Sequence, residues 1–443
     1  MGRERRPGRR SARRFRRLAG AQSVTCPAAS LAAPFDQSTR FAHKRLHLGV
    51  CGSVACYRAT DLLRAWLKLG VHVSVTLTDG ARRFVTPLLF ESLGALPVYG
   101  GMFEPGQDIF AHLEPGQRAQ AMVVAPVSAD ALARLAHGAA SDMLSAQALA
   151  FDGPLVLAPA MNPRMWTHPA VQANAALLEQ RGARFVGPDR GGTACGDEGR
   201  GRLAALPEIF LAGLRALAPQ DMAGLRVMVT LGPTREAWDG VRFWSNPSSG
   251  LMGAALAVCA WLRGAEVAAV CGPGVTAFLP RGVRRLDVTG AREMHEAARS
   301  LWPDMDMGMF TAAVADFSPD PPECGCGRKF KKSEAPEGFS LKFSPNPDIL
   351  QSLAAVCRPG QKVLGFAAET TPDMDALLPL ARAKLARKKA DLLAANRVNA
   401  PDSGFGAPTN SMAVADAHGR EEIWPSQSKA DVAWELCSWL LRI

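Results

Sequence analysis

The chain has 443 residues, 48% of them hydrophobic, which is enough for two domains that each bury their own apolar core. Its formal charge of +10 suggests a polyanion-binding surface until it is located: residues 1–45 hold twelve Lys/Arg and two Asp/Glu, leaving thirty-nine of each sign in the remainder. The body is therefore neutral, which argues against a nucleic-acid-binding face there, and no run approaches the roughly eighteen apolar residues of a membrane span.

Residues 1–44 carry Arg at 3, 5, 6, 9, 10, 13, 14, 16 and 17 without apolar periodicity, so this head is expected to be disordered. Residues 18–34 are too broken by Ser, Thr, Gln and Pro for a secretory signal. A nucleic-acid role for the head predicts that deleting it removes function. The ten cysteines lack the paired spacing of a zinc site or a disulfide scaffold, which points to a reducing cytoplasm; Cys324 and Cys326 alone are a weak metal signal.

From residue 46 short apolar runs alternate with amphipathic stretches. Strands are expected at 46–50, 71–77, 121–125 and 154–158, with helices at 54–69 and 128–137. Continuous apolar strands alternating with helices imply a parallel sheet covered on both faces. The pattern stops at 216–221 and resumes with strands at 225–230, 266–270, 305–311, 363–366 and 391–394, and helices at 250–263 and 374–389. Residues 410–416 and 421–424 read as a terminal hairpin before a last helix. The fold class is thus α/β with two doubly wound, Rossmann-like domains, 45–219 and 220–443, without an internal repeat.

In the first half, Gly52 and Ser53 follow the first strand and open a helix, where backbone N–H groups could hold a phosphate; a tight turn is the equal alternative, and the spacing is not that of a dinucleotide fingerprint. His112 precedes the strand at 121, Asn162 follows the strand ending at 158, and Cys195 sits in a glycine-rich loop, 194–202. Singly, each is ordinarily packing, a turn or a core thiol.

With the stretches 49–57, 78–84 and 125–130, these residues make 46–217 resemble the flavin-dependent decarboxylases that act on C-terminal or amide-linked cysteine, phosphopantothenoylcysteine decarboxylase being the nearest kind. The resemblance implies a flavodoxin-like domain holding FMN at Gly52, Ser53, Thr78, Phe84 and Ser128. It also implies a proton-handling His112, an Asn162 that binds the substrate carboxylate, and a proton-donating Cys195. Asp130-Ala131 and Arg58 depart from the family's usual residues.

In the second half, Ser248, Ser249 and Gly250 open a helix suited to an anion, or simply cap it. Lys329, Lys331 and Lys332 cluster, and Lys384 and Lys388 share a helix face at i, i+4; solvated surface is the ordinary reading of either. Together with 312–316, 346–350 and 365–370, however, they make 221–443 resemble phosphopantothenate-cysteine ligase. That resemblance implies CTP, with Mg2+, held by Ala313, Asp316, Lys329, Pro347, Asp348, Ile349, Leu350, Phe366, Lys384 and Lys388. Arg242, Asn246 and Ala313 would act when L-cysteine captures the activated 4'-phosphopantothenate. Leu251 stands where the family usually has Lys. The fused pair implies a cytoplasmic homo-oligomer that makes and then decarboxylates 4'-phosphopantothenoylcysteine, with neither nucleic acid nor membrane as partner. A non-catalytic flavoprotein module is the competing reading of the first half, and the joint presence of His112, Asn162 and Cys195 argues against it. A peptidyl-cysteine decarboxylase is the other, disfavoured by the fused ligase.

Overall fold

The computed structural model describes residues 31, 33–104, 108–192, 196–321, 327–334, 337–399, 403, 404 and 406–443; Cys195, Cys324 and Cys326 lie outside the described residues. The first sheet comprises β1 (Arg45–Val50), β2 (His72–Leu77), β3 (Val98–Tyr99), β4 (Ala121–Val127), β5 (Leu155–Pro159) and β6 (Arg184–Phe185). All pairs are parallel, in the order β3-β2-β1-β4-β5-β6. The expected doubly wound arrangement is present. Its strand order is the Rossmann one, not the 2-1-3-4-5 order of flavodoxin, which corrects the finer expectation. All seven residues of β4 are buried, because helices cover both faces of the sheet and leave no reason for polar alternation. The expected helix at 54–69 divides into a 3-10 turn, Val54–Arg58, and the α-helix Ala59–Lys68.

An antiparallel hairpin follows, β7 (Asp189–Gly192) with β8 (Glu198–Arg202). The stretch 194–202, expected as a loop, therefore ends in a strand. Its glycines concealed this, since close backbone approach is what they permit: a Cβ on Gly201 would lie 2.3 Å from the Met161 carbonyl oxygen.

The second large sheet is assembled from β9 (Arg226–Leu231), β12 (Glu266–Cys271), β13 (Val283–Asp287), β14 (Met307–Phe310), β17 (Lys362–Glu369), β18 (Leu392–Arg397), β19 (Thr409–Asp416) and β20 (Glu421–Ser428). Its order is β13-β12-β9-β14-β17-β18-β19-β20. Six strands run parallel, and the expected terminal hairpin adds β19 and β20 antiparallel at one edge. Two small hairpins project from this half: β10 (Arg235–Ala237) with β11 (Phe243–Ser245), and β15 (Phe317–Pro319) with β16 (Phe343–Pro345). The helix Leu251–Leu262 is buried along most of its length, which its Ala-rich, uniformly apolar sequence allows.

The two sheets share one continuous hydrophobic cluster, in which Phe210 and Leu214 belong to the helix Leu206–Leu217 and Leu256 and Ala260 to Leu251–Leu262. Polar contacts join the same faces: Arg281 pairs with Asp189 at 2.6 Å, and the Arg215 guanidinium lies 4.5 Å from the Trp261 ring centre. Residues 33–44, expected to belong to a disordered head, are packed. Phe35 and Phe41 are buried, Ser38 Oγ donates to Asp431 at 2.9 Å, and Phe41 meets the edge of Trp434. The segment lacks periodicity because it borrows its apolar partner surface from the final helix, Lys429–Leu440. Among the described residues no helix is long and apolar enough to cross a membrane.

Candidate active sites

The carboxyl ends of β1, β2, β4 and β5 bring four cap residues to one rim of the first sheet. Thr78 Oγ1 accepts from Ala81 N at 3.3 Å, Ser128 Oγ from Ala131 N at 3.2 Å, and Asn162 Oδ1 from Arg164 N at 2.8 Å, each starting a helix. Ser53 caps the 3-10 turn after β1 by accepting from Ala55 N. Gly52 is needed at this rim: a Cβ there would lie 2.8 Å from the Gly80 backbone, so only glycine lets the loops after β1 and β2 touch.

A cavity of about 720 Å³ opens beside this rim, walled by Ser53, Arg58, Asn162, Arg190, Arg202 and neighbours. The Asn162 amide Nδ2 donates to Asp197 at 2.7 Å, which fixes its orientation. Gly52, Thr78 and Ser128 sit on the rim but not on the cavity wall, and Phe84 is exposed. His112 is half-buried in the turn before the helix Glu114–Arg118, also off this wall.

The turn carrying His112 is tethered from the core. Gln147 is fully buried; its Nε2 donates to the Ala111 carbonyl at 2.9 Å, and its Oε1 accepts from Thr76 Oγ1 at 2.5 Å. Thr76 Oγ1 lies 3.0 Å from His47 Nε2, and His47 Nδ1 lies 2.8 Å from Ser74 Oγ. Because the Thr76 proton goes to Gln147, His47 must donate from Nε2 and accept at Nδ1. Burial pushes the His47 imidazole down to about 3, against the opposing influence of Gln147, so it stays neutral. Cys51, also near the rim, is pushed up to about 12 by burial, which makes it a poor proton donor.

A second cavity, about 750 Å³, lies at the carboxyl ends of β9, β14 and β17. Its wall contains Asn246, Ala313, Asp316, Pro347, Asp348, Ile349, Leu350, Phe366, Lys384 and Lys388, ten of the residues singled out in the sequence. Gly250, at φ 71°, opens the helix Leu251–Leu262; its left-handed backbone favours glycine, and a Cβ there would lie 2.8 Å from Val275 Cγ2. Asn246 Nδ2 donates to the Val314 carbonyl at 3.1 Å. Lys384 pairs with Glu369 at 2.5 Å and Lys388 with Asp348, while burial pushes Lys388 below the ordinary lysine value and Asp316 opposes it.

Arg242 and Lys329 are not on this wall. They belong to a neighbouring cluster, where Arg242 Nη1 donates to Asp239 at 2.8 Å and to the Phe330 carbonyl at 3.1 Å. Burial works to raise the Asp239 carboxyl, but the N–H groups of Arg242, Val241 and Phe330, with the Arg242 charge, hold it below the usual range. Trp238 and Phe339 stack face to face with Phe330 tilted against both, the Arg242 guanidinium lies over Trp238, and Lys329 is exposed. Sequence reading missed Arg190, Arg202, Arg387, Asn410 and Lys429 on the two walls, since it is the fold that turns these side chains toward a cavity.

A flavoprotein family model matches residues 35–212, and a model of the DNA/pantothenate metabolism flavoprotein C-terminal domain matches 222–443. The coenzyme A biosynthesis bifunctional protein CoaBC of Vibrio vulnificus is 36% identical over 396 residues, covering 89% of this chain and 96% of that protein. The chain belongs to the CoaBC family. CoaBC of Bacillus subtilis is 38% identical over 399 residues, again 89% of this chain and 96% of the relative. The crystallised C-terminal domain of a CoaBC protein is 31% identical, covering 50% of this chain and 97% of that one, with a TM-score of 0.41.

Proposed function

We propose that this CoaBC-family chain makes 4'-phosphopantetheine in two steps, ligating cysteine to 4'-phosphopantothenate in residues 220–443 and decarboxylating the product in residues 45–219. The observation that carries this reading is the pair of separate cavities, one holding Asn162 and the other holding Asn246 with nine of the residues expected to bind a nucleotide, in a chain that aligns along nearly its whole length with bifunctional CoaBC proteins.

In the ligase cavity the substrate carboxylate attacks the α-phosphorus of CTP; pyrophosphate leaves and an acyl-cytidylate forms. Positive charge from Lys384 and Lys388 lies on the wall, and the open end of the helix Leu251–Leu262 offers N–H donors. Mg2+ would assist by neutralising the phosphates. The cysteine amine then attacks the acyl carbon and CMP departs, with Asn246 orienting the carbonyl. Arg242 and Lys329, displaced from this wall, favour a homo-oligomer in which a second copy supplies them. Phe243, Trp244, Phe317 and Phe339 are exposed around that cluster and suit such a contact.

The first cavity, about 720 Å³, fits FMN: Arg58, Arg190 and Arg202 on its wall can balance a phosphate, and Ser53 lies beside them. FMN when bound supplies reversible two-electron oxidation of the cysteine moiety, which creates the electron sink for loss of CO2. Asn162 holds the substrate carboxylate with a neutral amide, so no cation resists its departure as CO2. His112 handles a proton, and Cys195 returns one to the ene-thiol intermediate as the two electrons taken from the cysteine moiety are given back. The six described cysteines are all free, as a reducing cytoplasm would keep them. The purified chain should be yellow and release FMN on denaturation, and should liberate pyrophosphate from CTP when given 4'-phosphopantothenate. A colourless chain that takes up no added FMN removes the decarboxylase half of this reading.

A further inference from the structure

Lys429 is the first residue of the last helix, Lys429–Leu440, and its side chain forms part of the wall of the ligase cavity. It is only 3% exposed. Its Nζ donates to the carbonyls of Gly404, at 3.2 Å, and Ala407, and the third N–H finds no acceptor among the described residues. The other two cavity lysines each have a carboxylate partner; Lys429 has none among the described residues. The acid nearest in sequence, Asp431, is turned away and accepts from Ser38 and Thr39.

This is a costly place for an ammonium. It is stripped of water, lacks a counter-charge among the described residues, and sits at the positive end of a helix dipole, where cations are disfavoured. Burial alone pushes it down to about 8. Such an arrangement makes sense if an anion completes it. The surroundings connect it to the part of the cavity suited to anions: Gly404 N donates to Asn410 Oδ1 at 3.4 Å, and Asn410 Nδ2 reaches the Met252 sulfur at 3.5 Å, in the first turn of the helix opened by Gly250. That first turn carries no cation of its own, its residues being Leu251, Met252, Gly253 and Ala254.

We propose that Lys429 is a phosphate-binding residue of the ligase cavity, its buried ammonium paired by a phosphate of the bound substrate. The inference rests on the ligase reading of that cavity. Two sources share the chemistry, the triphosphate of CTP and the 4'-phosphate of phosphopantothenate.

Calorimetric titration of the flavin-loaded full chain with CTP, cytidine, 4'-phosphopantothenate and pantothenate separates them. Lys429→Met keeps the length of the side chain and removes its charge; Lys429→Arg keeps the charge. Lys429→Met should weaken CTP or 4'-phosphopantothenate roughly ten- to a hundredfold, the worth of one charged hydrogen bond, and leave the unphosphorylated parent unchanged. Lys429→Arg should retain most of the binding. Whichever phosphorylated ligand is lost names the source, and loss of both supports the proposal equally. Four unchanged affinities overturn it. So does an equal fall for phosphorylated and unphosphorylated forms, or for both variants, which would mean that Lys429 only pins the Gly404 loop. If the unaltered chain binds neither phosphorylated ligand, the ligase reading of the cavity falls and the inference with it.

Discussion

Gln147→Met isolates the tether that holds the His112 turn. The substitution preserves volume but removes the donor to the Ala111 carbonyl and the acceptor for Thr76, both in a fully buried setting. Two orphaned buried groups at about 1–3 kcal/mol each set a ceiling of about 2–6 kcal/mol. That is a large share of the roughly 5–15 kcal/mol typical of a domain. The chain can avoid much of this cost by letting the turn swing out so that water solvates Ala111, and His112 then leaves its place. A misplacement of about 1 Å near the chemistry is worth on the order of a hundredfold in rate. Decarboxylation of 4'-phosphopantothenoylcysteine should therefore fall at least about tenfold, with a modest drop in melting temperature. The ligation rate of the same polypeptide serves as an internal control and should not change. Unaltered decarboxylation would show that His112 placement does not depend on Gln147, and an equal loss of both activities would show a global defect instead.

Cys195→Ser should leave ligation intact and stop decarboxylation late, with the ene-thiol product accumulating in mass spectra, because a hydroxyl is a far weaker acid than a thiol of pKa about 8.5; normal yield of 4'-phosphopantetheine would assign the acid elsewhere. Lys329→Gln should lower pyrophosphate release by about a hundredfold, or about 3 kcal/mol, whereas Asn246→Asp should permit release but slow capture by cysteine. Normal release by Lys329→Gln would return that lysine to the solvated surface. Burial holds the folded His47 imidazole down at about 3 against about 6.5 when unfolded, so the unfolded chain binds the extra proton between those values. Stability from this site is complete above about pH 6.5 and is lost as pH falls toward 3. The acid limb of the urea midpoint should accordingly be flatter by about one proton in His47→Gln, and an identical limb would contradict the buried neutral ring.

Apolar strands were the easiest feature to read. β4, β5, β9 and β12 are mainly hydrophobic runs because helices cover both faces, and their bounds fall within a residue or two of the expected ones. The polar edge strand β13, Val-Arg-Arg-Leu-Asp, escaped because exposure on one side removes that pattern. The small hairpins escaped for another reason: their pairing depends on glycines and on partners distant in sequence. Site residues gathered in runs, such as 346–350, or spaced at i, i+4, such as Lys384 and Lys388, were legible. Gln147 and Lys429 were not, because what sets them apart is burial beside a carbonyl or a cavity, and a lone Gln or Lys in a sequence carries no mark of that. Arg242 and Lys329 were legible by resemblance, but their separation from the cavity wall is a fact of three dimensions.

The central claim is that one chain performs both steps, and a single incubation tests it most directly. Purified protein supplied with FMN, 4'-phosphopantothenate, cysteine, CTP and Mg2+ should yield 4'-phosphopantetheine, CMP and pyrophosphate by mass spectrometry, and should yield none of them when CTP is omitted. Consumption of neither CTP nor 4'-phosphopantothenate, or the accumulation of 4'-phosphopantothenoylcysteine without decarboxylation, would contradict it.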